Sequence, residues 1–236
     1  SEFYDEETGS YVLKSEGRTL TRKEWVAQLK EWFDEFKVAA AEDICAENDH
    51  QGYRQAYKLM GDTMVIVGDD LTVTNLKMLK ESIRTRAPEI NTILIKINQN
   101  GSMSGTIEVI RYALAHGISV AISHRSGETE DDIIADLAIA SNLFLKKPHP
   151  KTGEMPVVML KTGGFRRTDR IVKYNRFIDV EAELERQIKA GRTTLEPLMK
   201  LSDETRDNAK LSPTVITGVR GVEIYDSRGN PTTKAF

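Results

Sequence analysis

Charged and hydroxyl side chains recur in this sequence directly after short apolar runs. These runs contain many β-branched residues and have the length of strands that are buried on both faces. The residues that follow them are Glu42 and Asp43 after "VAAA", Asp69 and Asp70 after "VIVG", Lys96 after "TILI", His124, Arg125 and Ser126 after "SVAIS", and Lys161 after "PVVML". Their shared position at strand ends predicts that these side chains meet at one edge of a parallel sheet.

The residue types favour a site that binds a small polyanion beside a metal ion. Glu42 and Asp69, from neighbouring strands, offer the oxygen ligands that hard divalent cations prefer. Arg125 and Ser126 offer a planar cation and a hydroxyl, which suit a phosphate or a carboxylate. A lysine near a metal and other cations is shifted towards its neutral form and can act as a general base near pH 7. We therefore predict proton removal next to a metal-bound carboxylate, followed by loss of a leaving group.

Structural explanations compete with this interpretation. An acidic residue at a strand end is often a helix cap or a turn former, and a lone lysine there often lies on the surface. We interpret the acidic run "GETEDD" in this way: residues 129–132 are predicted to form the capped first turn of the helix "DDIIADLAIAS". The residues His124, Arg125 and Ser126 have no comparable structural explanation.

Strands that alternate with amphipathic helices must position these residues. The strand-like segments are predicted at 37–43, 63–70, 91–98, 117–125 and 156–164, and Asn75 is predicted to cap the helix that ends near Ile83. This alternation of strands and helices predicts parallel strands with crossover helices. A (β/α)₈ barrel is favoured over a doubly wound open sheet, because polar groups end every strand and no glycine-rich phosphate motif follows any of them.

The composition narrows the classes of partner. A net charge of −3 gives no electrostatic reason to expect nucleic acid or an anionic membrane as a partner. The chain has one cysteine, Cys45, and no apolar run long enough to cross a bilayer. We therefore expect a soluble, cytoplasmic protein of 236 residues, with one large α/β domain or two smaller ones.

Several longer motifs resemble the catalytic barrel of the enolase (phosphopyruvate hydratase) family. They are "AAAED", "VGDDLTVTN", "LIKINQNGSMSGTIE", "SHRSGETEDD", "IADLA" and "LKTGGFRRTDRIVKYN", and they follow the family order as far as about Glu185. The resemblance implies an α/β fold, a partial enolase-type (β/α)₈ barrel. "SEFYDEETGSYVL" looks like the segment just beyond the family's first barrel metal ligand.

The resemblance also implies roles for individual residues. Lys96 matches the base that removes the C2 proton of 2-phosphoglycerate. Glu42 and Asp69 match two of three carboxylates that bind Mg²⁺. The substrate-binding positions are His124, Arg125 and Ser126 around the phosphate and a second metal, and Lys161 beside the substrate carboxylate. The implied cofactor is therefore Mg²⁺, and the implied partner is a small phosphorylated substrate.

The segment 141–156 departs from the family pattern, because it is longer than the short connection expected there. Its prolines and Gly153 predict a surface loop, in which His149 is exposed rather than catalytic. Two smaller departures, Ile44 in place of the usual proline and "NQNGS" in place of "NQIGT", change no charged group.

The order of the parts also departs from the family. We assign 1–200 to the C-terminal part of the barrel, 201–213 to a linker and 214–236, with "YDSRGNPT", to the first β-hairpin of an enolase N-terminal domain. The arrangement resembles a permuted, split or tandem enolase. We expect a second chain or another copy to supply the remaining barrel strands, the third metal carboxylate and the glutamate that protonates the leaving hydroxide.

Two other functions remain open. One is another metal-dependent lyase of the enolase superfamily, which the retention of "HRSGETED" and Lys161 disfavours. The other is a catalytically inactive, enolase-like structural or binding subunit, which the missing elements favour and the intact charged residues disfavour.

Overall fold

The computed structural model describes residues 2–84 and 88–192, and the backbone of two strands at 221–225 and 231–235. The chain begins with a small antiparallel sheet of three strands: β1 (Tyr4–Asp5), β2 (Ser10–Leu13) and β3 (Arg18–Thr21). A short 3₁₀ helix (Lys14–Glu16) joins β2 to β3. Helix α1 (Arg22–Glu35) follows, and a capping box between Thr21 and Glu24 fixes its start. Trp25 and Leu29 of α1 are buried, so this helix anchors the small sheet on the main core.

The centre of the fold is a parallel sheet of five strands, as the sequence predicts. The strands are β4 (Ala40–Glu42), β5 (Val65–Gly68), β6 (Thr92–Ile95), β7 (Ser119–Ser123) and β8 (Val158–Lys161). They pair in chain order, each parallel to the next. The five predicted segments are therefore confirmed, and each strand is shorter than its predicted window.

Helices connect the strands and cover one face of the sheet. They are α2 (His50–Met60), α3 (Leu76–Ser82), α4 (Ile97–Asn100), α5 (Met103–Ala115), α6 (Ile133–Ser141) and α7 (Thr168–Lys189). Asn75 caps α3 through the amides of Lys77 and Met78, which confirms the predicted cap. Among the described residues, none of these helices is both long and apolar enough to span a membrane.

Side chains alternate along each strand between two apolar clusters. Ile93 and Ile95 of β6 join the large core under the helices, whereas Leu94 between them joins a small cluster on the opposite face. That small cluster consists of Val67, Leu94, Ala121 and Met159. Because both faces are buried, the strands are almost continuously apolar, which is why the sequence reveals them.

The predicted start of α6 is wrong. Residues 129–132 precede the helix, which begins at Ile133, and the Asp131 carboxylate accepts a hydrogen bond from the Ile133 amide at 3.0 Å. The reason lies in α7, where Lys173 donates to the Thr129 carbonyl oxygen at 2.7 Å. This contact keeps Thr129 in the loop after β7 instead of in a helical turn.

The prediction that His149 is exposed is also wrong. Its side chain is buried, with a residue exposure of 8%. Its Nδ1 accepts from the Thr152 amide at 3.2 Å, so the neutral ring carries its proton on Nε2 and donates to the Tyr57 hydroxyl at 2.9 Å. Gly117 makes room for this loop: its φ is +78°, and a Cβ there would lie 2.5 Å from the His149 Cα. The segment 141–156 therefore packs closely against the rest of the domain.

Two further strands, β9 (Gly221–Tyr225) and β10 (Pro231–Ala235), pair in antiparallel fashion near the end of the chain. They fall within the segment 214–236 that is predicted to be a hairpin. The predicted linker, 201–213, lies outside the described residues. The assignment of 1–200 and 214–236 to different enolase domains stays a prediction.

Candidate active site

The C-terminal ends of β4 to β8 bring four of the predicted site residues into direct contact. Lys161, at the end of β8, donates from Nζ to Oε2 of Glu42, at the end of β4, at 2.5 Å. Lys96, directly after β6, forms an ion pair with Asp69, directly after β5. These two pairs form a single charged cluster at the edge of the sheet where the strands end.

The Lys161–Glu42 pair requires a strongly curled sheet. The two residues belong to the opposite edge strands, which in a flat sheet of five strands would lie about 19 Å apart at roughly 4.8 Å per strand. Two extended side chains cannot span that distance. The sheet is therefore curled like part of a barrel wall, so that Glu42 and Lys161 meet across its inner face.

The cluster is buried, and burying charged side chains lowers the free energy of unfolding unless their interactions compensate for the lost hydration. The side-chain exposures are 3% for Glu42 and Asp69, 10% for Lys161 and 16% for Lys96. Removing paired charges from water costs several kcal/mol per ion, and apolar residues of similar size often stabilise a core as well or better. Burial raises the pKa of Glu42, and the nearby Lys161 opposes this rise. A buried charge cluster at the strand ends of a barrel is typical of a functional site.

Asp43 is a third carboxylate at this edge, and its oxygens are already engaged. Its Oδ1 accepts from the Asp69 amide and its Oδ2 from the Asp70 amide, both at 3.0 Å. The Tyr53 hydroxyl also donates to Oδ1 at 3.1 Å. Burial raises the pKa of Asp43 to about 7. Asp43 therefore fixes the backbone that carries Asp69, a role that its place in "AAED" does not reveal.

Asp69 is oriented by a second set of contacts that the sequence also does not reveal. Gln99 donates to its Oδ1 at 3.1 Å, while Lys96 contacts Oδ2. Thr74 accepts from the Lys96 amide at 2.9 Å and donates to the Gln99 side chain at 3.0 Å. Val73 and Thr74 both have positive φ, 40° and 52°, which is an uncommon conformation for β-branched residues. Such strain is concentrated at functional sites.

His124 joins the cluster through the backbone of Lys161. Its amide and its ring Nδ1 both donate to the Lys161 carbonyl oxygen, at 2.9 and 2.8 Å. Because a carbonyl oxygen can only accept, Nδ1 carries the proton and Nε2 is unprotonated in the neutral ring. Burial lowers the pKa of His124 to about 4, so the ring is neutral at pH 7. Arg125 and Ser126 follow with exposed side chains and remain predicted substrate contacts.

The carboxylates fit a hard divalent cation. Oxygens of Glu42, Asp43 and Asp69 lie within 4.8 Å of one another. The Asp43 oxygens bind backbone amides, which are fixed by the fold, whereas the partners of Glu42 and Asp69 are side chains that can rotate away. Glu42 and Asp69 are therefore the better candidates for ligands. A donor set made of oxygen atoms suits Mg²⁺ and similar ions.

A cavity of about 260 Å³ lies at the opposite end of the strands. It is lined by polar residues that include Asn91, Ser119 and His149, and it contains no member of the charged cluster. The strand ends at this side of a barrel usually serve stability, not catalysis. The cluster at the other end is therefore the stronger candidate for an active site.

Comparison with known proteins agrees with this geometry. Residues 1–197 match the family model described as the C-terminal TIM barrel domain of enolase. The enolase of Mycoplasmopsis pulmonis (strain UAB CTIP) is 41% identical over 202 residues. That match covers 78% of this chain and 41% of the relative. The chain thus spans less than half the length of this curated relative.

Proposed function

This chain belongs to the enolase family, and from that membership we propose that it forms the catalytic barrel portion of a glycolytic enolase. The proposed reaction is the Mg²⁺-dependent dehydration of 2-phosphoglycerate to phosphoenolpyruvate, in the cytoplasm. The observation that carries this proposal is the buried cluster in which Lys96 pairs with Asp69 and Lys161 with Glu42. In this cluster the two carboxylates can bind a metal ion, one lysine can act as a base, and the other can bind an anionic substrate.

The charged residues have complementary tasks in this proposal. Glu42 and Asp69 would hold Mg²⁺, which when bound supplies positive charge next to the substrate carboxylate. Lys161 binds that carboxylate with its ammonium group. Lys96 leaves its ion pair with Asp69, gives its ammonium proton to water and, as the neutral amine, accepts the C2 proton on Nζ.

The loop after β7 binds the other end of the substrate. Arg125 and Ser126 donate hydrogen bonds to phosphate oxygens, and His124 lines the same side of the site with a neutral ring. Once the C2–H bond has broken, the electron pair forms the C2–C3 double bond as the C3–O bond breaks. The leaving hydroxide then takes a proton from an acid outside this set of residues.

The proposed reaction needs more than this cluster, because the leaving hydroxide must be protonated by an acid outside it. Among the described residues, β4 and β8 each pair with only one strand of this sheet. We propose that a second chain or another copy completes the barrel and brings the acid and a third carboxylate. The interface would be large and apolar, of the obligate class.

The test is a dehydration assay of the chain alone, the completing polypeptide alone, and both together. We expect phosphoenolpyruvate to form from 2-phosphoglycerate only in the mixture, and to require Mg²⁺, because neither part holds the whole site. Light scattering would check that the two parts associate. A stable assembly without turnover would reject the enzymatic proposal and favour an inactive, structural or binding subunit. Turnover of a different carboxylate substrate would favour another lyase of the superfamily.

A further inference from the structure

One face of helix α7 contacts two loops of the proposed anion-binding region, the loop after β7 and the loop after β8. Arg170, Lys173 and Tyr174 are spaced so that their side chains share this face. Arg170 Nη2 donates to the carbonyl oxygens of Arg125 at 3.0 Å and Ser126 at 3.4 Å. The helix therefore reaches the backbone of the two residues that are predicted to bind phosphate.

The other two side chains extend this contact to both loops. Lys173 Nζ donates to the Thr129 carbonyl oxygen at 2.7 Å, in the loop after β7. The Tyr174 hydroxyl donates to the Gly163 carbonyl oxygen at 2.9 Å, in the loop after β8. All three side chains of α7 thus act as donors to backbone carbonyl oxygens of the site loops.

The two cations are buried, although surface positions on a helix are available. Arg170 is 7% exposed and Lys173 is 1% exposed. A buried cation is tolerated only when hydrogen bonds or opposite charges compensate for its lost hydration. For Lys173, the carbonyl oxygens of Thr129 and Asp169 and the Glu128 carboxylate at 3.8 Å provide this compensation. The loop conformation and the position of the lysine therefore depend on each other.

Gly163 connects this helix face to His124. Its φ is +84°, and a Cβ there would lie 3.5 Å from both Arg170 Cδ and His124 Cε1. Both groups therefore lie at ordinary van der Waals distance from this position, and it is the positive φ that favours glycine there. Since His124 also donates to the Lys161 carbonyl oxygen, the two loops and the helix form one hydrogen-bonded unit.

We propose that Arg170, Lys173 and Tyr174 are positioning residues for the two substrate-binding loops. Arg170 and Lys173 hold the loop after β7, which binds the substrate phosphate, and Tyr174 holds the adjacent loop after β8. A carbonyl oxygen that rotates towards a phosphate repels it, and these three donors hold the carbonyl oxygens of the loops in fixed orientations. Arg125 and Ser126 then extend from a backbone that is already ordered, which lowers the ordering cost of binding the anion. This inference rests on the proposed function, because it requires that the loop binds phosphate.

The test compares variants in the completed enzyme. Lys173→Met keeps the length of the buried chain and removes its donor, and Tyr174→Phe removes a single hydroxyl. We expect Lys173→Met to raise KM for 2-phosphoglycerate about tenfold or more, the cost of losing a charged hydrogen bond, with kcat and Mn²⁺ affinity unchanged. Tyr174→Phe should raise KM by a smaller factor, and Lys173→Arg should restore part of the loss.

Two further measurements separate positioning from general stability. Hydrogen exchange should become faster at the amides of residues 125–129 in Lys173→Met and at the amides around Gly163 in Tyr174→Phe, and should stay unchanged elsewhere in α7. Arg176→Met is the matched control, because Arg176 lies on the same helix and contacts the Asp136 side chain of α6 instead of a loop. It should leave KM and loop exchange unchanged.

The outcomes distinguish this inference from the proposed function. A completed wild-type enzyme that neither binds nor converts 2-phosphoglycerate would refute both. An active wild type with unchanged KM and unchanged loop exchange in Tyr174→Phe and in a folded Lys173→Met would refute the positioning role alone. If Lys173→Met does not fold, Tyr174→Phe decides.

Discussion

Replacing Lys96 with alanine is expected to lower the turnover of 2-phosphoglycerate by about 10³-fold or more in the completed enzyme, the range for loss of a positioned base. Substrate affinity should stay within about tenfold, because other groups bind the phosphate and the carboxylate. The reason is the position of Lys96, which has a side-chain exposure of 16% and lies against Asp69 at the strand ends. Steady-state kinetics would provide both values.

Two control variants separate the loss of a base from the loss of an ion pair. Lys96→Arg keeps a cation beside Asp69 but cannot release its proton near neutral pH, so it should be as inactive as Lys96→Ala. Lys77→Ala removes an exposed lysine from the neighbouring helix α3 and should retain full turnover. Near-normal turnover in Lys96→Ala would reject Lys96 as the base.

The second large effect is expected from Glu42→Gln and Asp69→Asn. Each should raise the Mg²⁺ concentration needed for half-maximal activity by on the order of tenfold or more, since loss of even an outer-shell partner costs that much. The amides keep an oxygen that can accept from Lys161 or Lys96, so the buried lysines retain a partner. A Mg²⁺ titration of activity would measure the shift.

Asp70→Asn is the matched control for this prediction. Asp70 is adjacent to Asp69 in sequence, and its side chain is exposed. Its substitution should therefore leave the Mg²⁺ titration unchanged. If Glu42→Gln and Asp69→Asn also leave it unchanged, the two carboxylates are structural and the metal site lies elsewhere.

Much of the barrel could be predicted from the sequence because its strands are buried on both faces. Such strands form apolar runs, and Glu42, Asp69, Lys96 and Lys161 interrupt or end these runs at the position where a barrel carries its site. The small sheet β1 to β3 was not predicted. Its strands are short: β1 has two residues, and β3 has four, of which three are exposed.

Long-range contacts explain the features that the sequence did not reveal. His149 lies in a segment rich in proline, yet its side chain is buried and forms a hydrogen bond with Tyr57, which is 92 residues away in the sequence. Asp43 and Glu42 are adjacent and chemically similar, and only the backbone amides of the neighbouring strand end distinguish their roles. In the sequence, a charged helical residue such as Lys173 looks solvent-exposed. Its burial becomes evident only when the position of the loop that contains Thr129 is known.

The central claim is that one end of this barrel binds a metal ion beside a phosphorylated substrate. The most direct measurement uses Mn²⁺ in place of Mg²⁺ and follows the relaxation of the phosphorus nucleus of 2-phosphoglycerate in the completed enzyme. We expect bound Mn²⁺ to accelerate this relaxation strongly, and Glu42→Gln with Asp69→Asn to abolish the effect at the same Mn²⁺ concentration. Substrate that binds normally while its phosphorus relaxation is insensitive to Mn²⁺ would contradict the claim.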